Sequence, residues 1–167
     1  VGSNSLGCTN QKTITLTVVP NPTVSPVSNP VAICTGFSST LSATGANNYT
    51  WTPGAMTGSS AVVSPTLTTT YTLVGNTAGC TGSSTVLLTV NYGPTLTALA
   101  SPTAICPGFT STLSSTGAVS YTWDPGAITG SSTVVSPPAG TSVYSVTGAT
   151  AFGCLTTNTL SLLVNPT

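Results

Sequence analysis

The sequence predicts an all-β protein of tandem sandwich repeats with essentially no helix. Three observations carry this. Thr is the commonest residue, with 36 copies beside 23 Ser, and its β-branched side chain favours strands. Blocks of sequence recur at a fixed offset of 72 residues: Ala32-Ile33-Cys34 returns as Ala104-Ile105-Cys106, and Tyr49-Thr50-Trp51 as Tyr121-Thr122-Trp123. Apolar residues alternate, or stand in short runs closed by Pro or Gly, so no 3.6-residue stripe survives.

The repeats set the organisation. Pro53-Gly54 returns as Pro125-Gly126, and Val62-Val63-Ser64-Pro65 as Val134-Val135-Ser136-Pro137. The second cysteines, Cys80 and Cys154, are 74 apart, and the two extra residues point to loops around Gly140 and Phe152. Gly7-Cys8-Thr9 matches Gly79-Cys80-Thr81. From each of these three cysteines apolar residues follow at +6, +8 and +10: Ile14, Leu16, Val18; Val86, Leu88, Val90; Leu160, Leu162, Val164. Strict alternation is the period of a half-buried strand. The expected division is therefore 1–20, the C-terminal hairpin of a truncated repeat; 21–92, one whole repeat; and 93–167, a second. The chain reads as a piece of a longer tandem array.

Within 21–92 the elements follow in order. A first strand is expected near Val24–Val31. A second covers Thr40–Ala43 with Leu41 inward. Tyr49 and Trp51 share one face of a third, and Pro53-Gly54 turns the chain. Val62-Val63 is short and stopped by Pro65. Thr70–Val74 places Tyr71 and Leu73 on one face, and Thr85–Val90 closes the unit. Strands at this spacing point to a sandwich or barrel.

Five cysteines remain. One disulfide per repeat is expected, Cys34–Cys80 and Cys106–Cys154, with Cys8 unpaired in this fragment because it aligns with a second cysteine. Each bridge would close a loop of roughly 47 residues, worth about 4 kcal/mol, and would persist outside the cytoplasm. The alternative is buried free thiols. A cysteine metal site has no CxxC pair to rest on.

Charge is almost absent. Lys12 and Asp124 are the only charged side chains, with no His and no Glu. One lysine cannot neutralise a phosphate backbone, so no nucleic-acid partner is expected. Imidazole and paired-carboxylate catalysis have no residues to run on, nor have calcium or His-bearing zinc sites; no enzyme, metal or cofactor is expected. Asp124 reads as a side-chain cap of the Pro125-Gly126 turn, and Lys12 as a solvated hairpin tip. No apolar run approaches the ~20 residues of a membrane-spanning helix, and no membrane insertion is expected.

The pattern Ile-Cys-x-Gly-x-x-x-Thr-Leu-x-x-x-Gly-Ala, then Tyr-x-Trp-x-Pro-Gly, Val-Ser-Pro, Tyr-Thr and Gly-Cys, resembles the Ig-like repeats of large surface and secreted proteins of gliding Bacteroidetes-type bacteria. In that group export runs through the type IX secretion system. The resemblance spans Ala32–Asn91, Ala104–Asn165 and, in part, Gly7–Val18. It implies an Ig-like sandwich, an extracellular or cell-surface location and a structural or adhesive role.

The remaining candidates each carry two readings. Tyr49, Trp51, Tyr121 and Trp123 read as core aromatics; exposed, the tryptophans would be sugar-stacking platforms. Thr66–Thr72 and Thr156–Thr159 are either strand-face threonines or O-glycosylation acceptors, and Asn48-Tyr49-Thr50 matches a sequon. The linkers Val18–Pro22 and Val90–Pro94 are short and Pro-bearing, which makes semi-rigid spacers. Neutral surfaces also favour association. The expected function is a structural segment of an extracellular filament or giant adhesin shaft. The alternatives are a glycan- or surface-binding module and a passive spacer attached to a secreted enzyme. The expected partners are neighbouring copies or repeats of the same protein, with surface glycans or O-linked sugars as a second class.

Overall fold

The computed structural model describes residues 1–166. It is all-β, with no helix among the described residues, hence none long and apolar enough to cross a membrane. A small hairpin comes first, β1 (Gly2–Ser3) paired with β2 (Thr9–Asn10). Residues 11–24 form no strand. The alternation at Ile14, Leu16 and Val18 therefore makes no sheet, against the expectation above: all three are more than 80 % exposed. A strand needs a ladder partner and an apolar surface to cover, and neither lies beside residues 14–18.

Residues 25–91 build two sheets around one core. One sheet has the order β3 (Ser25–Asn29), β5 (Ser39–Thr44), β8 (Ser60–Val63). The other runs β4 (Ala32–Cys34), β10 (Cys80–Asn91), β9 (Thr69–Thr77), β6 (Asn48–Thr52), β7 (Met56–Thr57). The expected first strand is thus two: the chain leaves one sheet after Asn29 and enters the other at Ala32. Pro30 has no N–H to continue a ladder; its carbonyl instead accepts from the buried Ser39 Oγ at 2.7 Å. The β4–β10 pairing is parallel, with Asn91 opposite Cys34. All other pairs in this unit are antiparallel.

Residues 97–164 repeat the plan. One sheet is β11 (Thr97–Ser101), β13 (Ser111–Thr116), β16 (Ser132–Val135). The other is β12 (Ala104–Ile105), β18 (Leu155–Val164), β17 (Gly140–Ala149), β14 (Ser120–Asp124), β15 (Ile128–Thr129).

The cores are built alike. Leu41, Trp51, Leu73 and Leu88 are fully buried in the first, and Leu113, Val146, Leu162 and Val164 in the second, with Trp123 at 1 % exposure. Each indole is satisfied: Trp51 Nε1 donates to Gly58 O at 3.1 Å and Trp123 Nε1 to Gly130 O at 3.0 Å. A buried N–H without an acceptor would cost about 1–3 kcal/mol. The tyrosine hydroxyls close the neighbouring turns, Tyr49 accepting from Ala46 N and Tyr121 from Ala118 N, both at 2.8 Å.

The two repeats differ at the hairpin that carries the second cysteine. Thr77 pairs directly with Cys80 across Ala78-Gly79. Ala149 pairs with Leu155 across residues 150–154. Phe152 stands in that wider turn. Gly140, expected in a loop, instead opens β17 just after irregular residues 136–139.

Candidate functional site: the junction between the repeats

The strand register decides the cysteine chemistry. Cys34 lies opposite Asn91, the last residue of β10, whereas Cys80 is its first. Eleven residues at about 3.3 Å each put roughly 36 Å between the two cysteine positions. A disulfide needs Cα atoms within about 7 Å, so Cys34 and Cys80 lie at opposite ends of one sandwich. The same holds for Cys106, just beyond the Ile105–Val164 pair, and Cys154, just before Leu155. The expected bridges Cys34–Cys80 and Cys106–Cys154 do not form.

The bond observed joins Cys34 to Cys154, 120 residues apart, with Cα atoms at 5.5 Å. It links the end of β4 in the first repeat to the hairpin turn of the second. Opposite ends of consecutive sandwiches meet, so cysteines that cannot pair within a repeat pair between repeats. Cys8, Cys80 and Cys106 are free among the described residues, Cys8 and Cys106 exposed and Cys80 half-buried. The Cys80 thiol lies 3.4 Å from the Val19 carbonyl and donates to it.

The linker is held against both partners. Thr35 N donates to Asn91 O at 2.9 Å. A Cβ on Gly93 would collide with Thr156 Oγ1 and the Leu155 carbonyl, so only glycine lets the linker lie this close. Around the bridge opens a groove of about 410 Å³. Pro30, Ala32–Thr35, Phe37 and Ser38 of the first repeat form one wall, and Gly93 with Gly153–Leu155 the other. A groove of about 210 Å³ flanks Cys106, lined by Pro102, Ala104, Ile105, Cys106, Phe109 and Thr110. All six are the positions 72 residues after those of the first wall. Phe37 and Phe109 are each about two-thirds exposed. Sequence reasoning passed over both, although Gly36-Phe37 and Gly108-Phe109 recur at the repeat offset.

The other candidates do not converge. Trp51 and Trp123 are buried, so no indole face meets solvent. Tyr49 is buried, and Tyr121, half-buried, packs against the second core. Asp124 and Lys12 are exposed in different parts of the chain. No group of three His, Cys, Asp or Glu side chains stands together among the described residues. Asn48 and Thr66–Thr68 are exposed, and Thr156–Thr159 alternate between half-buried and exposed along β18. Burial pushes the Tyr71 hydroxyl above its usual range. The chemistry available at the junction is that of a disulfide and an apolar cleft.

No protein-family model matches the chain. No curated protein matches it in sequence. Among solved structures it is similar to the three N-terminal domains of the outer capsid protein Hoc of bacteriophage RB49, at 19 % identity, TM-score 0.45, over 87 % of this chain and 59 % of that one. A 1.5-MDa bacterial ice-binding adhesin gives 12 % identity and TM-score 0.44, over 88 % and 65 %. A Ca2+-stabilised, ice-binding adhesin of an Antarctic bacterium gives 16 % and 0.45, over 99 % and 55 %. The chain therefore spans under two thirds of each of these three. Its Ig-like, all-β fold rests on the paired sheets and cores described above.

Proposed function

We propose that this chain is a structural, non-enzymatic segment of an extracellular filament or adhesin shaft built of tandem Ig-like repeats. The observation that carries the reading is the Cys34–Cys154 bond, which ties one repeat to the next and not a repeat to itself. A cross-link in that place limits rotation about the linker, which is what a stiff rod needs. It also closes one loop of about 120 residues that runs through both repeats, worth about 5 kcal/mol in the chain-entropy model. Such a bond persists in an oxidising compartment. Uncharged hydroxyls supply surface hydration in place of charge.

Burial of both tryptophans leaves the glycan-binding alternative without indole platforms, and its exposed aromatics are Phe37, Tyr92, Phe109 and Phe152. A spacer role beside a secreted enzyme has no feature of this chain to favour it.

Small-angle scattering on the oxidised and the reduced chain tests the reading. The oxidised chain should show one fixed inter-repeat distance, and reduction should broaden it. Two repeats that tumble independently while oxidised would overturn the shaft reading.

A further inference from the structure

The groove at Cys106 repeats the groove at Cys34, but among the described residues the partner that fills the first has no counterpart at the second. Beside Cys34 sit Gly153, Cys154 and Leu155 of the following repeat. Beside Cys106 five of the matching six residues face solvent, Ile105 alone being buried in the second core, and the thiol is free. The local backbone is the same: Phe37 N donates to Cys34 O at 3.0 Å, and Phe109 N to Cys106 O at 3.1 Å.

The chain also carries a second hairpin of the kind that fills this groove. In residues 150–154, Thr150 N donates to Cys154 O at 2.9 Å, Gly153 N to Thr150 O at 3.0 Å, and Cys154 N to Thr150 Oγ1 at 3.2 Å. In residues 4–8, Asn4 N donates to Cys8 O at 3.1 Å, Gly7 N to Asn4 O at 3.1 Å, and Cys8 N to Asn4 Oδ1 at 3.0 Å. Gly7 and Gly153 have φ of 77° and 78°. Ser3 pairs with Thr9 as Ala149 pairs with Leu155. Cys80 is different: its turn is three residues shorter, two against five, and its thiol already has the Val19 carbonyl. The hairpin 2–10 is exposed throughout, so nothing buried holds it back.

We propose that the Cys106 groove receives the Gly2–Asn10 hairpin of a second copy of this chain, and that a disulfide between Cys106 and the second copy's Cys8 joins the two head to tail. The inference rests on the shaft reading and gives it a partner. The bond forms by exchange with a low-molecular-weight disulfide such as oxidised glutathione. The Cys106 thiolate attacks it and releases one glutathione thiolate; the incoming Cys8 thiolate then attacks the Cys106 sulfur and releases the second. Two electrons pass to the glutathione, and its two thiols take up the two cysteine protons.

The test uses the full chain in a Cys80→Ala background, with one variant also Cys8→Ala and the other also Cys106→Ala. Mixed with oxidised glutathione, they should give Cys8–Cys106 heterodimers about tenfold or more faster than either gives homodimers, because docking raises the local concentration of one thiol near the other. Ala104→Arg, at an exposed groove position, should bring the heterodimer rate down to the homodimer rate. Unchanged circular dichroism would show that this variant still folds. In the unmodified chain, peptide mapping should find Cys106 linked to Cys8. Homodimers formed as fast as heterodimers, an Ala104→Arg chain that links as well as its parent, or linkage of Cys106 to Cys80 would each overturn the proposal. So would a chain that stays monomeric under oxidation. Scattering from that monomer would still test the shaft reading on its own, since Cys34–Cys154 needs no second copy.

Discussion

Residues 14–18 and the ends of β10 and β18 carry the same alternation and have opposite fates. Leu88 and Leu162 are fully buried, whereas Leu16, at the same distance from its cysteine, is 86 % exposed. The difference lies in neighbours. β10 has β9 along one edge and β4 along the other, and β18 has β17 and β12; residues 11–20 have none. Period-two patterning thus states which side chains a strand would bury, and the strand forms only where another ladder and an apolar face are offered. The same contrast separates the Cys34 groove, filled by a hairpin, from the Cys106 groove, open to solvent.

The largest expected effects sharpen the first contrast. Trp51→Ala or Trp123→Ala should cost about 3–5 kcal/mol in its own repeat, and Leu88→Ala or Leu162→Ala about 2–5 kcal/mol, from lost burial and the cavity left behind. Leu16→Ala should stay within about 0.5 kcal/mol, as exposed substitutions do. Chemical denaturation followed by far-ultraviolet circular dichroism reads all five. A Leu16→Ala loss as large as that of Leu88→Ala would mean that residues 11–20 are packed in solution.

Cys34→Ala comes next. It should lower the stability of the two repeats by up to about 5 kcal/mol in all, because one bond closes a single loop that runs through both. Two calorimetric transitions that both move downward would agree. Movement of one alone would place the constraint inside a single repeat.

Burial raises the folded-state pKa of Tyr71, so the unfolded chain loses that proton first as pH rises. The stabilising contribution is complete below the unfolded value of about 10 and is lost as pH climbs through the folded one. Melting temperature should fall above about pH 10 in the first repeat, and Tyr71→Phe should blunt the fall. Equal sensitivity in the Tyr71→Phe chain would remove this residue as the cause.

The smallest effect compares the corner tyrosines. Tyr121 OH both accepts from Ala118 N and donates to Ala118 O, at 2.8 and 2.9 Å, whereas Tyr49 OH makes only the first bond. At about 1 kcal/mol per bond, Tyr121→Phe should destabilise more than Tyr49→Phe. Equal losses would show that the second bond contributes nothing.

The sandwich was legible because two signals agreed: alternation at Leu41, Tyr49-Trp51 and Tyr71-Leu73, and turns at the Pro and Gly between them. One of the two extra residues of the second repeat was legible at Phe152, since a strand cannot absorb an insertion without turning its side chains over. Three things were not. The break at Asn29–Ala32 was read as one strand, because which sheet each half joins depends on partners far along the chain. The cysteine pairing differs from the expectation, because two cysteines per repeat say nothing about which end of a strand each occupies. The register did hold that information: Cys80 opens the alternating run that ends beside Cys34. Cys8 was matched to Cys80 by Gly-Cys-Thr identity, whereas its hairpin is built like that of Cys154. The apolar residue before Gly-Cys, Leu6 and Phe152 against Ala78, was the available sign.

The most direct test of inter-repeat bridging is a non-reducing peptide map of the oxidised chain. With one lysine and no arginine, trypsin is of little use, so chymotrypsin or pepsin would generate the fragments and mass spectrometry would identify the linked pairs. The account predicts a peptide joining Cys34 to Cys154. Peptides joining Cys34 to Cys80 and Cys106 to Cys154 would contradict it.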